Sequence, residues 1–323
     1  MTKNYFFLLV LFFPFLAGAQ VIDDSHTEPY WIRPFKHVKQ LKQEILWDKQ
    51  PESYLDLGKA YLTGRGVKKN TAKAKKYLKK AAQKGHKEAQ LLLALIPVYQ
   101  EKPKPKPAEL DKSFQTVLAL AKQDYPLAQY ELSVLYKEGK ATQADPQQHL
   151  HYLQLAATAP LPVPAAQETL ASYYQNGYPP YIQKDSTKAF ELFLSAAQAA
   201  DPDAAYQLAQ MYLNAEGIEK NEKRAFHFMR QAALQKVIPA QIALSQFYLN
   251  GTGVQADEYG AFKWMLEAAK QGNTYAQEQT ALYYWQGTGV RKDRQEALFW
   301  AARAQQNGSA QAANIIRQIQ EEL

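Results

Sequence analysis

Imidazole is the usual general base and metal ligand near neutral pH, so the six histidines are the first side chains to weigh. His26, His37, His86, His149, His151 and His227 lie scattered along a chain of 323 residues. Only His149 and His151 are neighbours. Two residues apart on a helix, they point to different sides, whereas one metal would need an i, i+4 pair. Neither H-E-x-x-H nor G-x-S-x-G occurs. The acid pairs in "DPDAA" and "VIDD" face no evident partner and suit caps or surface. The chain has no cysteine, which excludes disulfides, zinc–thiolate sites and thiol nucleophiles. Polar groups converging on one point, the mark of catalysis, are not found. The sequence implies no enzyme, no cofactor and no metal.

One motif still invites chemistry. "YLNGTGVQAD" and, farther on, "YWQGTGVRKD" run a Gly-x-Gly turn into a helix, as a phosphate cradle would. No strand precedes these turns, no Lys-Ser/Thr follows, and G-x-G-x-x-G is absent. Their setting explains them otherwise. Before each turn stands a helix with a small residue, an apolar one four on and an aromatic eight on, as in Ala240–Leu244–Tyr248 and Ala204–Leu208–Tyr212. Starts at 53, 89, 128, 166, 204, 240 and 276 are separated by 36, 39, 38, 38, 36 and 36 residues, and Ala312 opens a truncated copy. Such a period means a solenoid of stacked helix pairs.

The rest of each unit follows the same logic. A second helix carries a stripe such as Ala225–Phe228–Ala232–Ala233 or Ala261–Trp264–Ala268–Ala269, on one face at offsets of three, four and seven. Asn70, Asp145, Asp185, Asn221, Asp257 and Asp293 stand where a side-chain oxygen can cap its first turn. Gly64, Gly251 and Gly287 are placed to end the first helix in the left-handed region.

The stretches "LGKAYLTGRGVKKNTAKAKKYLKKAAQKGH" and "LSQFYLNGTGVQADEYGAFKWMLEAAKQGN", which unite these positions, resemble the Sel1-like repeat family, relatives of the tetratricopeptide repeat. The resemblance runs from about residue 50 to the end. It implies an all-α, right-handed superhelix of about seven helix-turn-helix repeats, with a concave face that binds a protein or peptide. Concave positions would lie two, six and nine residues into each unit: Tyr130, Val134 and Lys137; Glu168, Ser172 and Gln175; Tyr206, Gln210 and Leu213; Ile242, Gln246 and Leu249; Glu278, Leu282 and Trp285. Packing of unit on unit is the alternative role for each. In exported members the partners are often envelope enzymes, secretion or motility machinery, or host proteins. A cysteine-rich branch is linked to penicillin binding. With no cysteine here, a cell-wall or β-lactam-binding enzyme rests on family analogy alone.

The N-terminus points to export. Lys3, the apolar run Tyr5–Leu16 and the pair Ala17 and Ala19 read as a signal peptide over 1–19, too short to span a bilayer. A retained anchor is the alternative. The expected mature product is periplasmic or secreted, with no later transmembrane segment and no nucleic acid as partner. A segment with a capping helix follows over 20–52, the seven repeats fill 53–311, and 312–323 cap the other end. Charge is lopsided: residues 1–106 hold 20 basic and 9 acidic groups, and 107–323 hold 18 and 22, so +11 and −4 give the total of +7. Lys73, Lys76, Lys80 and Lys84, with Lys102, Lys104 and Lys106 of the Lys-Pro insertion at 101–107, form a basic patch. It would suit an anionic envelope polymer or lipid, or serve only as a solvated face. In the fourth unit, Tyr178 and Tyr181 around two prolines form a stiff loop, for a partner or as a lid over helix ends.

Overall fold

The computed structural model describes residues 38–47, 50–100 and 104–321. The expected signal peptide, His26, His37 and Lys102 lie outside the described residues. Among those described there are helices and one isolated β-bridge, Tyr178↔Ile182, with no strand ladder. A short helix α1 (Val38–Trp47) leads into the paired helices. The pairs are α2 (Pro51–Thr63) with α3 (Thr71–Gln83), α4 (Lys87–Tyr99) with α5 (Pro107–Ala121), and α6 (Pro126–Glu138) with α7 (Pro146–Thr158). They continue as α8 (Pro164–Asn176) with α9 (Ser186–Gln198), α10 (Pro202–Asn214) with α11 (Glu222–Leu234), α12 (Ile238–Asn250) with α13 (Glu258–Lys270), and α14 (Thr274–Gln286) with α15 (Arg294–Gln306). Last comes α16 (Ala312–Glu321). The chain is thus an all-α solenoid, and it forms two compact units, Met1–Leu170 and Ala171–Leu323.

Each turn is closed by local chemistry. Every expected cap holds: Asn70 Oδ1 accepts from the Lys73 N–H at 2.9 Å, Asn221 from Arg224 at 3.0 Å, and Asp293 from Gln295 and Glu296. The same cap residues donate their own N–H back to the aromatic residue's carbonyl, Asn221 to Tyr212 at 2.9 Å and Asp257 to Tyr248 at 2.8 Å. Helix end, turn and helix start therefore form one hydrogen-bonded knot. Gly64, Gly251 and Gly287 are left-handed at φ 79°, 72° and 80°, where a side chain is strained. The second glycine of a turn does more than bend the chain. A Cβ on Gly253 would fall inside the Glu222 carbonyl, and one on Gly289 inside that of Glu258. Glycine there lets a turn press against the preceding pair's second helix.

The core of each unit runs along the seam between first and second helices. Rings eight residues into the first helix stack on rings of their partner: Tyr61 on Tyr77 at 5.7 Å, Tyr136 on Tyr152 at 6.0 Å, and Tyr212 on Phe228 at 6.0 Å. From the preceding pair a phenylalanine meets the same ring edge-on, as Phe190 does Tyr212 and Phe226 does Tyr248, both at 5.5 Å. Edge-to-face pairs add about 1 kcal/mol beyond the area they bury. Five residues into the first helix a small side chain recurs (Gly58, Ala94, Ser133, Ala171, Ala209, Ser245, Ala281), each buried. At Gly58 a Cβ would sit 2.7 Å from Leu78, so the small residue sets how closely the helices approach.

The ends are covered by amphipathic helices. Val38 and Ile45 of α1 join the core around Leu57 and Leu78, Leu41 is buried, and Ser53 Oγ donates to Glu44 at 3.0 Å. At the other end Ile315 and Ile319 of α16 pack on Trp300 and Ala301.

Candidate binding face

In the first unit, the stretch Leu127–Leu135 of α6 is buried without interruption. Tyr130 and Val134 are 9 % and 6 % exposed, so these two candidate contact residues lie closed off. With Ser133, His149, Leu153 and Thr169 they line a small cleft that is partly open to solvent. Its enclosed space is about 20 Å³, room for little more than a single water. Around it the polar groups are spent on one another. His149 Nδ1 lies 2.9 Å from the Ser133 carbonyl, and burial pushes its pKa below the ordinary value. Glu131 is buried and accepts from the Tyr99 hydroxyl at 3.4 Å. Burial pushes its carboxyl up to about 8, so it is protonated at neutral pH. No group of three or more His, Asp or Glu able to hold a metal occurs among the described residues.

The basic patch is partly occupied within the first unit. Lys73, Lys76, Lys80 and Lys84 are exposed, as are Lys104 and Lys106. Yet the Lys73 ammonium lies 5.5 Å over the Tyr61 ring and Lys80 5.2 Å over Tyr54, cation–π positions that pin two of the six. Lys59 is ion-paired with the buried Glu88.

The second unit presents a different surface. Tyr206, Gln210, Ile242, Leu282 and Trp285 are half-buried, and Gln246 and Leu249 are exposed. Residues 206, 242 and 278, then 210, 246 and 282, then 213, 249 and 285 occupy equivalent positions of α10, α12 and α14, so they form rows across three first helices. Glu278 is held by the Ser309 hydroxyl. One row escaped the sequence reading: Asn214, Asn250 and Gln286, exposed amides one residue before the turn, which recur at 36-residue intervals. Neither lysine nor arginine occurs on these helices, and their acids are Asp203 and Glu278. Charge sits instead on the second helices, as Lys223, Arg224, Arg230, Lys263 and Arg303 show.

A second missed device is structural. A glutamine next to the small residue that starts the first helix reaches back to a carbonyl at the end of the previous helix: Gln129 to Ala121 at 3.4 Å, Gln241 to Ala233 and Gln277 to Ala269 at 3.2 Å. Gln271 and Asn307 donate in turn to Gln241 and Gln277 at 2.7 and 2.9 Å. α10 has Ala205 there, and Gln231 of α11 and Gln235 just past its end supply the bonds to the Ala197 and Ala200 carbonyls. The aromatic loop closes on itself. Tyr178 stacks on Tyr173 at 4.4 Å and on Tyr181 at 5.8 Å, as a lid would.

Helix pairs in series define a scaffold fold of the α-solenoid class. Residues 51–86, 126–160, 164–201, 202–237, 238–273 and 274–309 each match the Sel1 repeat, and the chain belongs to that family. The pair formed by α4 and α5 falls outside these matches, as its Pro97 and Lys-Pro insertion would lead one to expect. In fold the chain is similar to c5321, a protective antigen of uropathogenic Escherichia coli strains displaying an SLR fold, at 24 % identity and a TM-score of 0.66. That match covers 88 % of this chain and 59 % of the E. coli protein, so the chain spans well under two thirds of its length. A Sel1 repeat protein from Oxalobacter formigenes is similar at 27 % identity and a TM-score of 0.62, covering 87 % of this chain and 79 % of that one. No curated protein matches the chain in sequence. No helix among the described residues is long and apolar enough to cross a membrane.

Proposed function

We propose that the chain is an exported, non-enzymatic adaptor that holds a protein or peptide partner on the first-helix face of its second unit. The observation that carries this reading is the set of rows on α10, α12 and α14, where half-buried apolar and aromatic groups stand among amides in repeating register. Aromatic anchors with satisfied or neutral polar surroundings are what protein interfaces favour. Membership of a family of repeat scaffolds supports it. Export rests on the apolar run and Ala17-x-Ala19, and N-terminal sequencing of the mature protein should then begin at Gln20.

The test is a pull-down from envelope extract with wild type, Tyr206→Ala/Trp285→Ala and Gln210→Lys/Gln246→Lys. Of the second pair Gln246 is exposed and Gln210 half-buried, and neither belongs to the buried core. Both should lose partners that wild type recovers, and identical recovery by all three would place the partner elsewhere. The basic patch offers an anionic polymer or lipid a second route, through the exposed Lys76 and Lys84. Binding there should collapse as salt screens charges beyond about 8 Å, whereas binding on the uncharged face should not.

A further inference from the structure

Resting on the basic-patch route, we infer that the N-terminal edge of the first unit seats on an anionic lipid surface, with Leu46 and Trp47 entering the headgroup layer and the lysines of α3 lying on its charges. The topology brings these groups to one edge. Ser53 near the start of α2 bonds Glu44 near the end of α1, so these helices run antiparallel. Lys73 lies over Tyr61 and Lys80 over Tyr54, so α2 and α3 are antiparallel as well. The end of α1, the end of α3 and the start of α4 therefore share one edge of the stack. They carry Leu46, Trp47, Lys84 and Lys87, all exposed.

The charge on this part of the chain has no counterpart in the other repeats. Residues 59–87 hold eleven basic groups and no acid. α3 carries Lys73, Lys75, Lys76, Lys79 and Lys80, whereas every other second helix that carries a base carries an acid as well. Lysines three and four apart on a helix repel, as Lys76 and Lys80 do, and an anionic surface relieves that repulsion.

The apolar tip decides between lipid and a soluble polyanion. Leu46 and Trp47 are 74 % and 88 % exposed, more than any other large apolar side chain among the described residues. A charged polymer would leave Leu46 in water. A membrane takes both: indole settles at the headgroup level, and lysine stems lie along apolar surface with the ammonium among the headgroups. α1 is built for such a seat, since Val38 and Ile45 join the core while Lys42, Gln43, Leu46 and Trp47 are exposed. Binding then adds apolar burial to electrostatic attraction.

Sedimentation of the full chain with vesicles of phosphatidylcholine and phosphatidylglycerol tests this, beside Leu46→Ser/Trp47→Ser and Lys76→Gln/Lys84→Gln/Lys87→Gln. All five positions are exposed, so both variants keep the core intact. Any pull of the apolar N-terminal run on lipid is common to wild type and variants, so the differences read this edge alone. The lysine variant should bind on the order of a hundredfold more weakly, and the apolar variant about tenfold. Raising salt from roughly 50 to 500 mM should bring wild type to the level of the lysine variant. Tryptophan emission should move to the blue on vesicles, and replacing Trp47 should remove that shift. Equal binding by wild type and the lysine variant would overturn the inference and the basic-patch route together. An apolar variant that binds as wild type does would overturn the inference and leave the patch to a soluble polyanion. Neither result touches the partner face on α10, α12 and α14.

Discussion

Helices α6 and α12 are the same element of the repeat, thirteen residues each, yet one is core and the other is surface. Leu127–Leu135 is buried without a break, whereas α12 leaves Ile242 half-buried and Gln246 and Leu249 exposed. The difference comes from the neighbours. Over α6 come Tyr99 from α4, hydrogen-bonded to Glu131, and Thr169 from α8, which lines the same cleft as Tyr130 and Val134. The equivalent rows of α10, α12 and α14 are half-buried, and exposed at Gln246 and Leu249. A repeat position is thus turned into packing or into binding surface by what the adjacent repeats supply.

The largest effect should come from breaking the seat of a turn in the second unit. Gly253→Val places a side chain against the Glu222 carbonyl and forces a branched residue to φ +67°. Urea unfolding should show a loss of about 3 kcal/mol or more, combining left-handed strain with overpacking. A loss below about 1 kcal/mol would mean that the close approach is not what sets the stacking.

Next is the contrast in pH response. Glu131 has its folded pKa raised to about 8, so the folded chain binds a proton that the unfolded chain has already released. Stability of the first unit should fall as pH rises from the ordinary carboxyl range to about 8. His149, lowered by burial, acts in the opposite sense: the unfolded chain takes up a proton first, and stability falls as pH drops through the ordinary histidine range. Glu131→Gln should flatten the alkaline limb, with a gain on the order of 2 kcal/mol above pH 8. Hydrogen exchange across pH reads the two units separately. An alkaline loss that persists in Glu131→Gln would assign it to another group.

The smallest effect concerns the turn that lacks its glycine. Ala215 stands left-handed at φ 56° where Gly251 and Gly287 stand in later repeats. Ala215→Gly should stabilise by about 1 kcal/mol, and a thermal melt that does not rise would show the strain relieved elsewhere.

Much of the fold was legible because its signals are local. The period, the caps from Asn70 to Asp293 and the left-handed glycines all act within a few residues of one another. What crosses between repeats was not legible. The glutamine that reaches back eight residues, the phenylalanine edge twenty-two residues before its tyrosine, and the second glycine's contact with the previous pair depend on how neighbours stack. For the same reason Tyr130 and Val134 matched Tyr206 and Gln210 in the sequence, though the first pair is buried and the second half-buried. The amide row at Asn214, Asn250 and Gln286 was readable from its recurrence, and went unseen because exposed amides beside a turn look like ordinary helix ends.

The central claim is that the uncharged first-helix face of the second unit is where a partner sits. Site-specific photocrosslinking in living cells tests it most directly, with a photoreactive residue at Gln246, at Lys76 in the basic patch, or at His151 on a second helix. The account predicts adducts from position 246, unaffected by salt in the wash and lost when Tyr206 and Trp285 are also replaced by alanine. Adducts from Lys76 or His151 with none from 246 would contradict it.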